Sequence, residues 1–508
     1  MSKIYSIVRS HAVASPDKIA IIGDGGEVFS YQQLLSAVDH RIQQLQEVVE
    51  PDSSRVALCL HEGEQIPVTV LALNYLGVPV IPLNPTLQPL QMVAFLDAVD
   101  ATVVVLESAT AAAFVGLDES IQQVTVEDPH FTVQQGGAGS VQGGREYQKD
   151  EAFLITLSSG STGDPKPIIL SEQNKLGRAK QAEQMYQVTA EDRVLCASPF
   201  FHSLGQRLTF MPLLKGGTLV LMDRFTPQRW VDLVAAQEVT FTICVSSHLY
   251  ALREQLVSQG ERLHSLRALV SSSAAIDKEL KEYLFEQVGC AFYEIYGATE
   301  VAIVTNLEPK DVAHKSASVG KACEGGEVMI LNDQHQPLPT GEVGEIACRS
   351  PLMFSGYLNQ PELTEVTRHQ GYFLTGDLGY QDEDTFLYFV SRKKDVIISG
   401  GSNIYPMDIE AVVLESASIA ECAVVGINDS YLGEVVIAVC VWRQGEEQDE
   451  WQLRQWVNSQ LSPFQRPLKY FFVEQLPLTS TGKINKRALR EEHNRLGLDL
   501  SAKIRLMI

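Results

Sequence analysis

Several things are scarce or missing in this chain, and each absence excludes something. Among the 508 residues only 8 are cysteine, placed singly with no CxxC pair, and most sit in apolar runs, as Cys440 does in VVIAVCVW. A thiol in such a run behaves as a small core residue, so neither a disulfide framework nor a zinc site is indicated. No apolar run reaches the length of about 20 residues that a membrane span needs. The longest, from Ile66 to Leu83, is divided by Asn74 and by Gly77-Val78-Pro79 into a helix and a strand. The N-terminal MSKIYSIVRSHAVASPDK lacks the charged-then-apolar order of a signal peptide. Basic charge is short: 40 Lys and Arg stand against 63 Asp and Glu, a formal net charge of −23. Nucleic acid is therefore excluded as main partner, because phosphate binding rests on clustered Lys and Arg. Internal repeats and low-complexity tracts are missing too. The expectation is a reduced, soluble, cytoplasmic protein with no membrane span.

What is present is ordinary globular composition, 45% hydrophobic and 20% charged, at a length that implies two or more domains. Through residue 391 much of the chain alternates helical periodicity with short β-branched runs. A helix is expected over 228–239, a strand over 240–245, a strand over 267–270, a helix over 277–288 opened by an Asp cap, and a strand over 291–295. This alternation predicts an α/β class of layered subdomains with largely parallel sheets. Residues 326–357 read as a small β subdomain, and Gly136-Gly137-Ala138-Gly139 through Gly143-Gly144 as a flexible connection. From Arg392 a second, α+β unit is expected: a helix from Pro406 to Glu415, strands over 422–427 and 435–442, a helix over 451–461 and a strand over 470–473. The expected domains are thus 1–391 and 392–508.

Four short segments carry chemistry. Ser158-Ser159-Gly160-Ser161-Thr162-Gly163-Asp164-Pro165-Lys166 lies between two apolar strands. Small residues let backbone N–H groups approach phosphate oxygens, hydroxyls add donors and Lys166 adds positive charge. The spacing is not that of the Walker loop, and by itself the segment also reads as a surface turn. Tyr296-Gly297-Ala298-Thr299-Glu300 follows a strand, where a carboxylate and a hydroxyl can hold Mg²⁺ and a phosphate oxygen while a tyrosine stacks on a base; alone it also reads as a tyrosine corner with a capping Thr. Thr375-Gly376-Asp377 offers a carboxylate at a tight turn, suited to vicinal ribose hydroxyls or to nothing more than the turn. Lys483, in Thr481-Gly482-Lys483, would by itself be solvated surface.

In this order, from Ser15-Pro16-Asp17 through Lys483, these segments resemble the adenylate-forming superfamily: acyl- and aryl-CoA ligases, adenylation domains of peptide synthetases, and beetle luciferases. The resemblance implies a large N-terminal domain and a small mobile C-terminal α+β domain, with ATP, Mg²⁺ and, as thiol co-substrate, CoA. It implies that Ser158, Ser159, Gly160, Ser161, Thr162, Gly163 and Lys166 grip the β- and γ-phosphates. Thr299 would contact the α-phosphate and Glu300 would bind Mg²⁺. Tyr296 would stack on adenine against Ser273, Ala274 and Ala275, with Glu294 accepting from the adenine amino group. Asp377, assisted by Arg392, would accept the ribose hydroxyls, and Lys483 would bridge the substrate carboxylate and the α-phosphate. For the thiol step the resemblance implies a hinge at Lys394 and a tunnel past Ser399, Gly400 and Gly401, although the two glycines also read as a simple turn. His202 would flank the acyl pocket as a packing residue. Arg207, Ser246, Ser247 and His248 are further pocket candidates, Arg207 being expected to reach solvent rather than to pair with a group on the acid.

The chain departs from the pattern at Pro167, where the family usually has Gly, at Glu294, where Asn, Gln or Asp is common, and at Lys394, which replaces an aspartate seen at many hinges. No aspartate lies between Ser198 and Lys215, which argues against an α-amino acid substrate. The expected activity is an ATP-dependent acid–thiol ligase that makes an acyl-AMP and then an acyl- or aryl-CoA. The rival is a stand-alone adenylating enzyme that loads a carrier-protein phosphopantetheine thiol. A non-catalytic nucleotide-binding regulatory protein is opposed by the joint presence of Lys166, Glu300, Asp377 and Lys483.

Overall fold

The computed structural model describes residues 2–51, 53–61, 63–108, 110, 114, 121–126, 147–148, 151–159, 165–274, 276, 278–446, 448–478, 484–497 and 500. By compactness the chain divides into Met1–Glu327 with Arg349–Phe373, and Val328–Cys348 with Leu374–Ile508. This division differs from the expected 1–391 and 392–508: residues 328–348 and 374–391 group with the C-terminal part. Strand pairing and charge give the reason. Strand Leu387–Arg392 runs antiparallel to Tyr372–Gln381, and the Lys393 ammonium that follows is held by Asp333 at 3.2 Å and Glu345 at 3.0 Å.

Among the described residues the first unit holds two large sheets. In one, seven strands lie in the order Gly356–Tyr357, Pro165–Ser171, Ala152–Ser159, Val80–Pro82, Val56–Cys59, Val103–Leu106, Gln122–Thr125. In the other, nine lie in the order Lys321–Ala322, Ala302–Leu307, Ala291–Ala298, Ala268–Ser272, Phe241–Val245, Arg193–Cys196, Thr218–Leu221, Ile19–Ile22, Val28–Ser30. The inner strands of the nine are parallel. Thr218–Leu221 and most of Phe241–Val245 are buried, which is why their sequences read as near-continuous apolar runs rather than alternating ones. Helices Pro227–Ala236, Ser246–Ser258 and Lys278–Gln287 bury Trp230, Leu249, Leu252, Leu280 and Leu284 in one core with the sheet. Each of these leucines contributes roughly 1.5–3 kcal/mol on burial.

The second unit contains a five-stranded sheet of Ser402–Ile404, Ile397–Ser399, Gly433–Trp442, Ile419–Asp429 and Lys469–Phe472, among its described residues. Helices Pro406–Leu414 and Glu450–Gln460 cover it with Ile409, Val413, Leu453 and Val457. None of the eight cysteines is joined in a disulfide. Cys422 and Cys440 are cross-strand partners with sulfurs 3.9 Å apart. Among the described residues no helix is long and apolar enough to cross a membrane.

Candidate active site

Parallel strands deliver their following loops to one edge of a sheet, and ligands of open α/β sheets bind outside the carboxyl ends. Four adjacent strands of the nine-stranded sheet do this here. Arg193–Cys196 leads to His202, Phe241–Val245 to Ser246 and Ser247, Ala268–Ser272 to Ser273 and Ala274, and Ala291–Ala298 to Thr299 and Glu300. The structure thus brings the expected adenine, α-phosphate, metal and acyl-pocket residues of the first unit to a common edge. Ser273 is exposed and held at φ +80°, a left-handed conformation that a serine adopts only at a cost and that clusters at ligand sites. His248 stacks on Phe225 with ring centroids 3.6 Å apart; burial lowers its pKa to about 4, so it is neutral at neutral pH. His202 precedes helix Ser203–Lys215 and packs edge-on against Phe201 at 4.3 Å, consistent with packing rather than proton transfer.

Strand Ala291–Ala298 runs three residues beyond its expected end, because it continues into an antiparallel pairing with Ala302–Leu307. Gly297 permits the closure: a Cβ there would stand 2.0 Å from the Ala302 carbonyl oxygen. The turn between the strands presents Thr299 and Glu300. Tyr357, only 5% exposed, donates its hydroxyl to Glu300 Oε1 at 2.9 Å, and the Lys166 ammonium lies 5.9 Å from the Tyr357 ring centroid. Burial and the Glu300 carboxylate both raise the Tyr357 pKa, so the phenol stays a donor. From the other side Arg178 Nη2 donates to the Thr299 carbonyl at 2.7 Å.

A carboxylate anchored through one oxygen suits magnesium. In polyphosphate sites Mg²⁺ keeps several waters and takes one or two carboxylates, the remainder coming from phosphate. Among the described residues no group of three or more His, Cys, Asp or Glu could hold a metal ion. Lys166 stands opposite Ser158 in the antiparallel pair of Ala152–Ser159 with Pro165–Ser171. The loop residues Gly160, Ser161, Thr162 and Gly163, and also Ala275 and Lys483, lie outside the described residues.

Two readings need correction. Glu294 does not offer an open acceptor: it is 1% exposed, ion-paired with Lys281 at 2.5 Å, and accepts the Ile276 N–H at 3.3 Å. Its side chain points from the strand into the core, where burial raises its pKa and Lys281 opposes that rise. Arg207 is partly exposed rather than fully solvated: its Nη1 is buried without an acceptor among the described residues, and it lines a small cavity with Lys175 and Arg178.

Within the second unit Asp377 and Arg392 are direct cross-strand partners, with Arg392 Nε 3.5 Å from Asp377 Oδ1. The Asp377 N–H donates to Thr375 Oγ1 at 3.1 Å, which itself donates to the Ile346 carbonyl at 2.7 Å. Lys394 is exposed on a single 3₁₀ turn, Lys393–Asp395. Gly400 and Gly401, at φ +57° and +83°, form a two-residue hairpin turn between Ser399 and Ser402, which requires positive φ at both positions.

Sequence reasoning missed Tyr357, Lys175 and Arg178. A lysine and an arginine three apart on a helix read as a solvated face, but helix Glu172–Tyr186 has few apolar residues, and its buried side includes Glu172, Asn174, Lys175, Arg178 and Gln181. That poverty was the available signal. Tyr357 sits on a two-residue strand, Gly356–Tyr357, too short for a pattern to announce it.

Fold and site together define an adenylate-forming enzyme. Residues 8–358 match the AMP-binding enzyme family and residues 408–483 its C-terminal domain. Indoleacetate–CoA ligase of Aromatoleum aromaticum is 29% identical over 495 residues, 95% of this chain and 97% of that protein. Feruloyl-CoA synthase of an Amycolatopsis species is 33% identical over 343 residues, 67% of this chain and 70% of that protein. The structure of o-succinylbenzoate coenzyme A synthetase from Bacillus subtilis in complex with ATP and magnesium superposes with a TM-score of 0.85 at 26% identity, covering 95% of this chain and 98% of that one. The chain belongs to the AMP-binding enzyme family as an AMP-forming acid–thiol ligase. The expected α/β class, superfamily and ATP dependence all hold.

Proposed function

We propose that the chain condenses a carboxylic acid with ATP to an acyl-adenylate, releasing pyrophosphate, and then passes the acyl group to the thiol of CoA. The observation that carries this reading is the Thr299–Glu300 turn, held by Arg178 on one side and by Tyr357 beside Lys166 on the other. The first step brings a carboxylate against a polyphosphate, two like charges. The acid is already ionised at neutral pH, so no general base is needed; the demand is for positive charge placed where the transition state needs it. In this reading Lys166 and the 158–163 loop hold the β- and γ-phosphates, Thr299 the α-phosphate, and Lys483 the attacking carboxylate together with the α-phosphate. Tyr296, Ser273 and Ala274 enclose adenine, and Asp377 with Arg392 takes the ribose hydroxyls. Glu300 holds the Mg²⁺ that ATP brings, which supplies further charge neutralisation when bound. His202, Ser246 and Ser247 border the acid.

For the second step the reading assigns a hinge near Lys394 between functional domains 1–391 and 392–508, and the thiol's approach to Ser399, Gly400 and Gly401. The acceptor is CoA, in line with the names of the relatives, and the location cytoplasmic. The test is pyrophosphate release over a panel of acids, then thioester formation with CoA and with a holo carrier protein. Acid-dependent release is expected, cut by on the order of 10²–10³ in Lys483→Ala, with thioester formed on CoA. Release that ignores both the acid and Lys483 would overturn the reading, and thioester on the carrier alone would replace CoA as acceptor.

A further inference from the structure

Lys175 and Arg178, 4% and 3% exposed, project from helix Glu172–Tyr186 to face Arg207 on helix Ser203–Lys215, and the three line a cavity of about 10 Å³ with Ser203, Gln206 and Phe210. That volume admits roughly one water-sized atom. Three cations are gathered here, yet none is ion-paired with a carboxylate among the described residues. Lys175 Nζ donates to Gln206 Oε1 at 2.5 Å. Arg178 donates to Ser203 Oγ at 3.3 Å and to the Thr299 and Leu352 carbonyls at 2.7 and 3.4 Å. Arg178 Nε and Arg207 Nη1 are buried with no acceptor among the described residues.

Burying a charge without a counter-charge is costly, and a buried donor without an acceptor adds to the cost. Like charges drawn together make it worse. Burial, with Arg178 and Arg207 nearby, pushes the Lys175 ammonium far below its ordinary value, and burial, with Arg207, pushes Arg178 to about 9. Glu300 alone acts to raise Arg178 among the causes of that shift. One small anionic group in the cavity would supply the counter-charge that the cluster lacks.

Its place says which anion. Arg178 donates through Nη2 to the Thr299 carbonyl and also lines the cavity, so a single side chain joins the two. Helix Ser203–Lys215, which carries Arg207, begins directly after His202. We propose that the Lys175–Arg178–Arg207 cluster is a subsite for a second carboxylate on the acid substrate, one oxygen of which enters the cavity, and that the substrate is a dicarboxylic acid. The inference rests on the ligase reading and narrows it.

The test measures kcat/KM for pyrophosphate release with succinate, glutarate and phthalate, each beside its monomethyl ester, and with benzoate and hexanoate, for wild type, Arg207→Met and Arg207→Lys. At least one diacid should exceed its ester by roughly tenfold or more in wild type. Arg207→Met should bring that ratio near one, and Arg207→Lys should restore part of it. Equal use of diacid and ester by wild type, or a ratio that Arg207→Met leaves alone, overturns the subsite. Release with benzoate or hexanoate and no preference for any diacid leaves the ligase reading standing and removes only the subsite. If no acid supports release, the ligase reading fails, and Tm measured with and without each diacid still decides: a rise in wild type and Arg207→Lys that is lost in Arg207→Met supports the subsite, and no rise overturns it.

Discussion

In the proposed reading a single carboxylate, Glu300, holds the cation, and its neighbours orient it for that task. The Tyr357 hydroxyl fixes Oε1, and backbone contacts fix the turn itself: Phe354 N–H donates to the Glu300 carbonyl at 2.6 Å and Arg178 to that of Thr299. The side chain is therefore oriented before any nucleotide arrives, which lowers the ordering cost of binding. Glu300→Gln keeps the shape and removes the charge that a hard cation requires, so the half-saturating Mg²⁺ concentration should rise by on the order of tenfold or more. Tyr357→Phe keeps the charge and removes only the orienting hydrogen bond, so the same titration should move by a smaller factor, roughly threefold. Coincident Mg²⁺ titrations for wild type and Glu300→Gln would reduce Glu300 to a structural residue. Glu294 illustrates what residue type alone conceals. Position in the motif suggested an acceptor for adenine, but strand alternation turns the side chain inward to Lys281, and nothing local in the sequence announces a partner thirteen positions earlier.

At the scale of elements, the sheet edge that carries the site is matched by a clamp at the opposite ends of the same strands. Asp192, 4% exposed, precedes strand Arg193–Cys196, and Thr240 and Arg267 precede its two successors across the sheet. Arg267 donates from Nε and Nη2 to the two carboxylate oxygens at 2.7 and 2.8 Å. The Thr240 hydroxyl adds a bond at 2.6 Å and the Thr189 N–H one at 2.7 Å. Burial raises the Asp192 pKa, and these donors overcome it, leaving a net lowering. A carboxylate depressed on folding stabilises above its unfolded pKa of about 3.9 and loses that contribution as pH falls through the lower folded value. Asp192→Asn should therefore cost about 2 kcal/mol at neutral pH, and the gap to wild type should close as urea unfolding is repeated below about pH 4. A gap that stays constant down to acid pH would show that the loss is one of packing rather than of charge. The inner strands and helices were legible because burial on both faces leaves apolar runs and helical periodicity in the sequence, so 240–245 became Phe241–Val245 and 451–461 became Glu450–Gln460. The extension of Ala291–Ala298 was not, since it depends on Gly297 admitting a partner strand at a distance no local pattern encodes.

For the whole molecule, the chemistry-bearing segments were legible because phosphate and cation binding demand particular residue types in short loops, and their order along the chain carries the family. The acid was not legible, because the subsite proposed for it draws on residues such as Arg178 and Arg207, which are 29 positions apart in sequence and meet only through helix packing. The grouping of residues 328–348 with the C-terminal part was hidden for the same reason, resting on tertiary pairing. The central claim concerns the order of bonds: a carboxylate oxygen attacks the α-phosphorus of ATP, pyrophosphate leaves, and thiol attack at the carbonyl then expels AMP with that oxygen still attached. The measurement that bears on it most directly uses an accepted acid labelled with ¹⁸O in its carboxylate, with ATP, Mg²⁺ and CoA, and mass spectrometry of the products. The account predicts that each AMP formed carries one oxygen from the acid and that pyrophosphate carries none. Label in phosphate or pyrophosphate, or thioester formed with unlabelled AMP, would contradict it.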